Sequence, residues 1–126
     1  MKLVDQTIFE KDLGDCARAC IASIFELTIK EVPNFWEHTH DADTFWRLNN
    51  EWLSDKKGCR LFPVALAEGS EHLLSGVLCI AIGRTRRGGE DHAVVWRDGI
   101  VHDPHPARSG FSDDPEVFVL IVPLNP

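Results

Sequence analysis

The sequence predicts an α+β fold, helices first and antiparallel strands after, on three observations. Apolar residues recur at helical spacing from Cys16 to Leu27 and again from about Asp43 to Lys57. Beyond Gly58 the pattern changes to short β-rich runs separated by Gly, Pro and Ser clusters. Two of those runs are joined by Asp98-Gly99, a strong hairpin signal because a type I′ turn needs positive φ at both central residues. A chain of 126 residues is long enough to close one core and short for two, so residues 1–126 read as a single domain.

Each element follows from local signals. After an extended lead, Gly14 and Asp15 stop the chain, and Asp15 is a natural N-cap whose carboxylate accepts from first-turn amides, placing Cys16 at or next to the first helical position. Thr28-Ile29-Lys30-Glu31 has the capping-box pattern of a short connector that Pro33 cuts off. The second helix carries Phe45, Leu48, Trp52 and Leu53 on one stripe, with Arg47, Asn50, Glu51 and Asp55 opposite, and Gly58 ends it. Strands are expected at Arg60 to Leu66, Val77 to Ile82, His92 to Arg97, Gly99 to Asp103 and Glu116 to Leu124. Centring the hairpin on Asp98-Gly99 sets Arg97 against Ile100, Val95 against His102 and His92 against His105. His92 and Asp103 then project to one side as diagonal neighbours.

Charge and hydropathy exclude several functions. A formal net charge of -7 repels phosphate backbones, and the only basic cluster, Arg84, Arg86 and Arg87, sits among glycines as a solvated loop tip would, so no nucleic-acid partner is expected. The N-terminus has no apolar core of a secretory signal, and no stretch approaches the roughly 20 apolar residues of a membrane span. The expectation is a cytoplasmic protein with no membrane partner, whose four cysteines are reduced.

Among those cysteines Cys16 is placed to react. A thiol at a helix N-terminus feels the positive end of the macrodipole, which favours the thiolate. An imidazole takes its proton, and a carboxylate on the far ring nitrogen fixes the tautomer. Cys16, His92 and Asp103 fit those three roles, against the alternative that Cys16 is a small buried hydrophobe.

Gly14-Asp15-Cys16-Ala17-Arg18-Ala19-Cys20 heading a helix, then DHAVVW and VHDPHP, resembles the C39-like branch of papain-like cysteine peptidases. The likeness runs through most of the chain and extends to small bacterial and phage proteins sharing VDQT, EVPNF, HAVV and HDPHP. It implies a papain-like fold in which a helix carrying the Cys packs on a C-terminal antiparallel sheet carrying His and Asp. It also implies a cysteine hydrolase that cleaves a peptide, isopeptide or side-chain amide bond in a protein or peptide substrate, with no cofactor. The family places an oxyanion Gln about six residues before the nucleophile. Here position 10 is Glu10, so Gln6 is the candidate donor if Lys11-Asp12-Leu13 loops out; the alternative is an exposed polar residue in the lead strand.

Other residues carry weaker expectations. Trp96 shares a strand face with His92 and is the candidate cleft aromatic, with His105 at the rim and Arg86 on the Gly-rich 83–91 loop as further substrate contacts. The basic loop favours acidic or carboxylate-bearing groups. Trp46 and Trp52 read as packing, Cys20 and Cys79 as core, and Cys59 as either buried or exposed. Metal binding is a rival for His38, His40, Asp41 and Asp43, and for His92, His102, Asp103 and His105. No familiar zinc spacing supports it, and adjacent strand residues point to opposite faces. The rival to catalysis is a silent papain-like module that binds and inhibits a protein partner through its acidic surface.

Overall fold

The computed structural model describes residues 1–10 and 14–125; the expected loop at Lys11-Asp12-Leu13 lies outside them. Helices α1 (Cys16–Ile24) and α2 (Ala42–Lys57) precede strands β1 (Cys59–Val64), β2 (Cys79–Arg84), β3 (Asp91–Trp96), β4 (Ile100–His102) and β5 (Val117–Pro123). The fold is α+β: the strands form one antiparallel sheet in the order β1-β5-β2-β3-β4, so the last strand inserts between the first and second.

α1 ends three residues before the expected Leu27. The amide of Leu27 returns to Ala22 O (2.8 Å) and that of Glu26 to Ser23 O (3.4 Å), a Schellman closure with Glu26 in the left-handed position at φ 57°. Glycine usually marks that position, so a glutamate there hides the stop. α2 starts behind Asp41, whose carboxylate accepts from the Thr44 amide at 3.0 Å, and closes on Gly58 at φ 63°.

Strand ends differ from expectation by one or two residues, the larger shifts for local reasons. β1 is an edge strand and tolerates Pro63. β2 begins two residues later than Val77 because Gly76 (φ 75°) and a 3-10 turn at Glu71–Leu74 precede it. β4 stops at His102 because Pro104 offers no amide and the Asp103 carboxylate draws the following chain into a turn. His92 and His105 are therefore not a strand pair. Val95 does face His102, but Trp96 pairs with Ile100, so a bulge at Val101 shortens the register and three residues make the connection.

α1 packs across β3 and α2 against β1, covering one sheet face with a core that includes Cys20, Ile21, Phe45, Leu53, Ile80, Val95 and Val119. A second cluster of Cys79, Ala81, Val94, Phe111 and Phe118 packs on the other face. Among the described residues no helix is long and apolar enough to cross a membrane.

Candidate active site

The lead segment reaches the site because three anchors hold it along the sheet edge. The amide of Gln6 donates to Pro104 O (3.0 Å), and His102 Nε2 donates to Val4 O (3.1 Å) with Asp5 beside it (3.0 Å). Arg108 spans Asp5 through both carboxylate oxygens, at 2.6 and 3.0 Å, and reaches the carbonyls of Asp103 and His105. His102 thus serves the lead segment from the opposite strand face to Asp103.

Asp15 does not cap α1 as expected. Its side chain is buried and turned back on the lead segment, accepting from the amides of Thr7 (2.8 Å) and Ile8 (2.9 Å) and from the Thr7 hydroxyl (2.8 Å). Arg18 balances its charge at 3.3 Å. The first turn of α1, where Cys16 sits half-buried, has no side-chain cap. An uncapped helix start next to a thiol is where the macrodipole and backbone donors favour negative charge.

β3 supplies His92, and the turn after β4 supplies Asp103. Both are buried, and His92 Nε2 lies 2.7 Å from Asp103 Oδ1. Asp103 also accepts from the amides of His105 (3.0 Å) and Gly110 (2.9 Å). Burial opposes its ionisation, but these bonds and the His92 charge outweigh it and hold the carboxyl well below the usual carboxylate range. As an acceptor only, Asp103 requires the proton on Nε2, which leaves Nδ1 free in the neutral ring. Burial likewise opposes charge on His92, but its bond to Asp103 and then the neighbouring Cys16 thiol, with the charges of both groups, raise it to about 9. His92 is thereby bonded to Asp103 on one side and shares the cleft lining with Cys16.

Cys16 and His92 open onto a cleft of about 750 Å³. Gln6 lines it, buried, with Nε2 donating to Ile8 O at 2.9 Å and Oε1 without a partner. His105 lines it too, its ring centroid 6.5 Å from that of His92 and edge-on to Phe9 at 5.2 Å. Burial, then the charges of Arg87 and His92, push the His105 imidazole below its ordinary range.

Two expected contacts lie elsewhere. Trp96 packs edge-on against Phe118 (5.7 Å) in the second core; it shares a strand face with His92 but stands four residues along, roughly 13 Å away. Arg86 donates to Phe111 O at 2.8 Å, and its neighbour Arg87 lines the cleft instead. Missed by sequence reasoning is the aromatic wall: Trp36 stacks on Phe45 (4.1 Å), and Trp46 meets Phe45 edge-on (5.1 Å). These rings bracket the polar 37–44 segment, and that bracketing was the available signal.

Cys20 and Cys79 are fully buried, and burial pushes Cys79 up to about 11 and Cys20 higher than its ordinary value. Cys59 is partly exposed, its Sγ 3.3 Å from Lys57 O. Among the described residues no three His, Cys, Asp or Glu side chains converge as a metal-holding group. No family model, curated protein or solved structure matches this chain.

Proposed function

We propose that this chain is a papain-like cysteine hydrolase that cleaves a peptide, isopeptide or side-chain amide bond with Cys16, His92 and Asp103. The observation that carries the reading is Cys16, at an uncapped helix start, sharing a cleft with a His92 whose ring lies 2.7 Å from a buried carboxylate. A thiol so placed can pass its proton to the imidazole, a pairing that a structural cysteine does not require. The thiolate attacks the carbonyl carbon, and the oxygen gathers charge near the first-turn amides of α1 and the Gln6 amide. The C–N bond breaks as His92 gives its proton to the leaving amine. Water then attacks the thioester while His92 takes its proton, releasing the carboxylic acid and restoring Cys16. Gln6 lining the cleft supports turnover over silent binding.

The test needs no substrate. Alkylation of Cys16 by a small haloacetamide at about pH 6, well below the free-thiol pKa of about 8.5, should outpace Cys59, and His92→Ala should remove the advantage. Cys16 reacting no faster than Cys59, with or without His92, would sink the hydrolase reading.

A further inference from the structure

The cleft has a charge pattern that amide hydrolysis alone does not use. Among the described residues its lining carries three carboxylates, Glu10, Glu90 and Asp91, against one permanent cation, Arg87. Of the three arginines in the hairpin turn, Arg84 pairs with Glu116 at 3.4 Å and Arg86 is bound to Phe111 O. Two of the three cations are thus engaged away from the cleft. Arg87 acts on the His105 side, where burial and then its charge lower that imidazole's pKa.

Asp91 stands opposite an apolar surface suited to an alkyl chain. Alternation along β3 puts Asp91 and Ala93 on one sheet face, and Ala93 pairs with Ile82 of β2. That face meets the helices, so Ile82 and Ala93 look across the cleft to Trp36 and Trp46. Asp91 follows two residues on, roughly 7 Å past Ala93, exposed and with no cation in ion-pair range among the described residues. Aromatic faces attract cations, and alkyl stems lie along apolar walls while their charged heads reach a polar rim. Two further cleft-lining residues, Gln6 and Thr85, are more than nine-tenths buried, and each carries an oxygen with no partner in the protein. Gln6 Oε1 can only accept and the Thr85 hydroxyl can accept, so among the described residues the lining has room for hydrogen-bond donors and positive charge from a ligand.

We propose that the cleft selects a substrate bearing a cationic side chain on an alkyl stem, of lysine or arginine type, beside the scissile amide, with Asp91 as the specificity-determining carboxylate. This rests on the hydrolase reading. It reverses the expectation, drawn from the basic loop, of an acidic substrate. The net charge of -7 adds long-range attraction for a basic partner.

The experiment compares inactivation of Cys16 by three acetyl-dipeptide chloromethyl ketones with lysine, norleucine or glutamate at both positions. Norleucine matches the lysine stem without its charge. The lysine reagent should act about tenfold faster than norleucine, the scale of one partly exposed carboxylate contact with a cation–π contribution, and glutamate should be slowest. Asp91→Asn should bring the lysine-to-norleucine ratio to within about twofold, its fold checked by circular dichroism. Norleucine matching lysine, glutamate leading, or a ratio that survives Asp91→Asn overturns the inference while leaving the hydrolase reading in place. No modification of Cys16 by any of the three, together with unactivated haloacetamide labelling, overturns both.

Discussion

Asp15 holds Thr7 by both its amide and its hydroxyl, each at 2.8 Å, and this pins the segment carrying Gln6 against the residue that precedes Cys16. The amide of Ile8, at 2.9 Å, is the third bond. Thr7 and Ile8 lie eight and seven residues before Asp15 in sequence, so the carboxylate ties the lead segment directly to the start of α1. Removing the acceptor leaves backbone donors unpaired at about 1–3 kcal/mol each, so Asp15→Ala should cost ~3 kcal/mol, read as a lower urea midpoint at unchanged m. Asp15→Asn should recover about half, because an amide oxygen can keep the bonds to Thr7 and Ile8 while losing the charge that Arg18 faces. An Asp15→Ala variant as stable as the wild type would show that the lead segment is held by other contacts.

The buried pair sets a pH dependence whose sign follows from its shifts. His92, raised from 6.5 to about 9, binds its proton more tightly when folded. Its contribution is fully present below pH 6.5 and is lost as pH rises through about 9. Asp103, lowered from 3.8, contributes above that value and is lost as pH falls through its depressed folded pKa. Stability should therefore decline from pH 6.5 to 9, by an amount of order 2 kcal/mol, and Asp103→Asn should flatten that limb. Cys16→Ala removes a group that helps raise His92, so the His92 titration followed by NMR should move below about 9. A His92 titration indifferent to Cys16 would separate the two groups.

Gly14 leaves room for Gln6 to sit where it does. A Cβ at Gly14 would come 3.2 Å from Ile8 O and 3.3 Å from Glu10 O, and Ile8 O is the acceptor that holds Gln6 Nε2 at 2.9 Å. Gly14→Ala must push that carbonyl and Gln6 with it. The expected result is a kcat lowered about tenfold with KM little changed, whereas Gln6→Ala should lose roughly a hundredfold in kcat, as for deletion of an oxyanion donor. A Gln6→Ala effect confined to KM would make Gln6 a binding contact instead.

Much of this geometry is legible in the sequence where local rules govern it. Asp98-Gly99 and period two place Val95 against His102, and that is enough to bring His92 beside Asp103 even though the register slips at Trp96. What is not legible depends on residues far apart in the chain. Asp15 has the identity of a helix cap, but its carboxylate finds two backbone donors in the lead segment, a choice no local pattern encodes. Glu26 ends α1 in a conformation that glycine normally announces. Trp46 reads as packing because a helical stripe says which residues are apolar, not which apolar side chains border a cleft. Arg86 and Arg87 are adjacent and chemically alike, and only the Phe111 carbonyl separates their roles.

Arg108 offers a case where hydrogen-bond count and stability should part. Its guanidinium makes a two-point contact with Asp5 and reaches the carbonyls of Asp103 and His105, yet its side chain is 48% exposed and that of Asp5 40%. Solvent screens the ion pair, so Arg108→Ala should lower stability by no more than about 1 kcal/mol. The positional effect should be larger, because the same guanidinium fixes the turn that aims Asp103 at His92 and carries the anchor for Gln6 through Pro104. Loss of kcat well beyond the stability change is expected, with a lower His92 pKa as its aim at Asp103 loosens. Arg108→Lys should rescue little, since a single ammonium cannot span both Asp5 oxygens and the two carbonyls together. If Arg108→Ala left kcat and the His92 titration as they are in the wild type, the turn would be rigid through its Asp103 bonds to His105 and Gly110 alone.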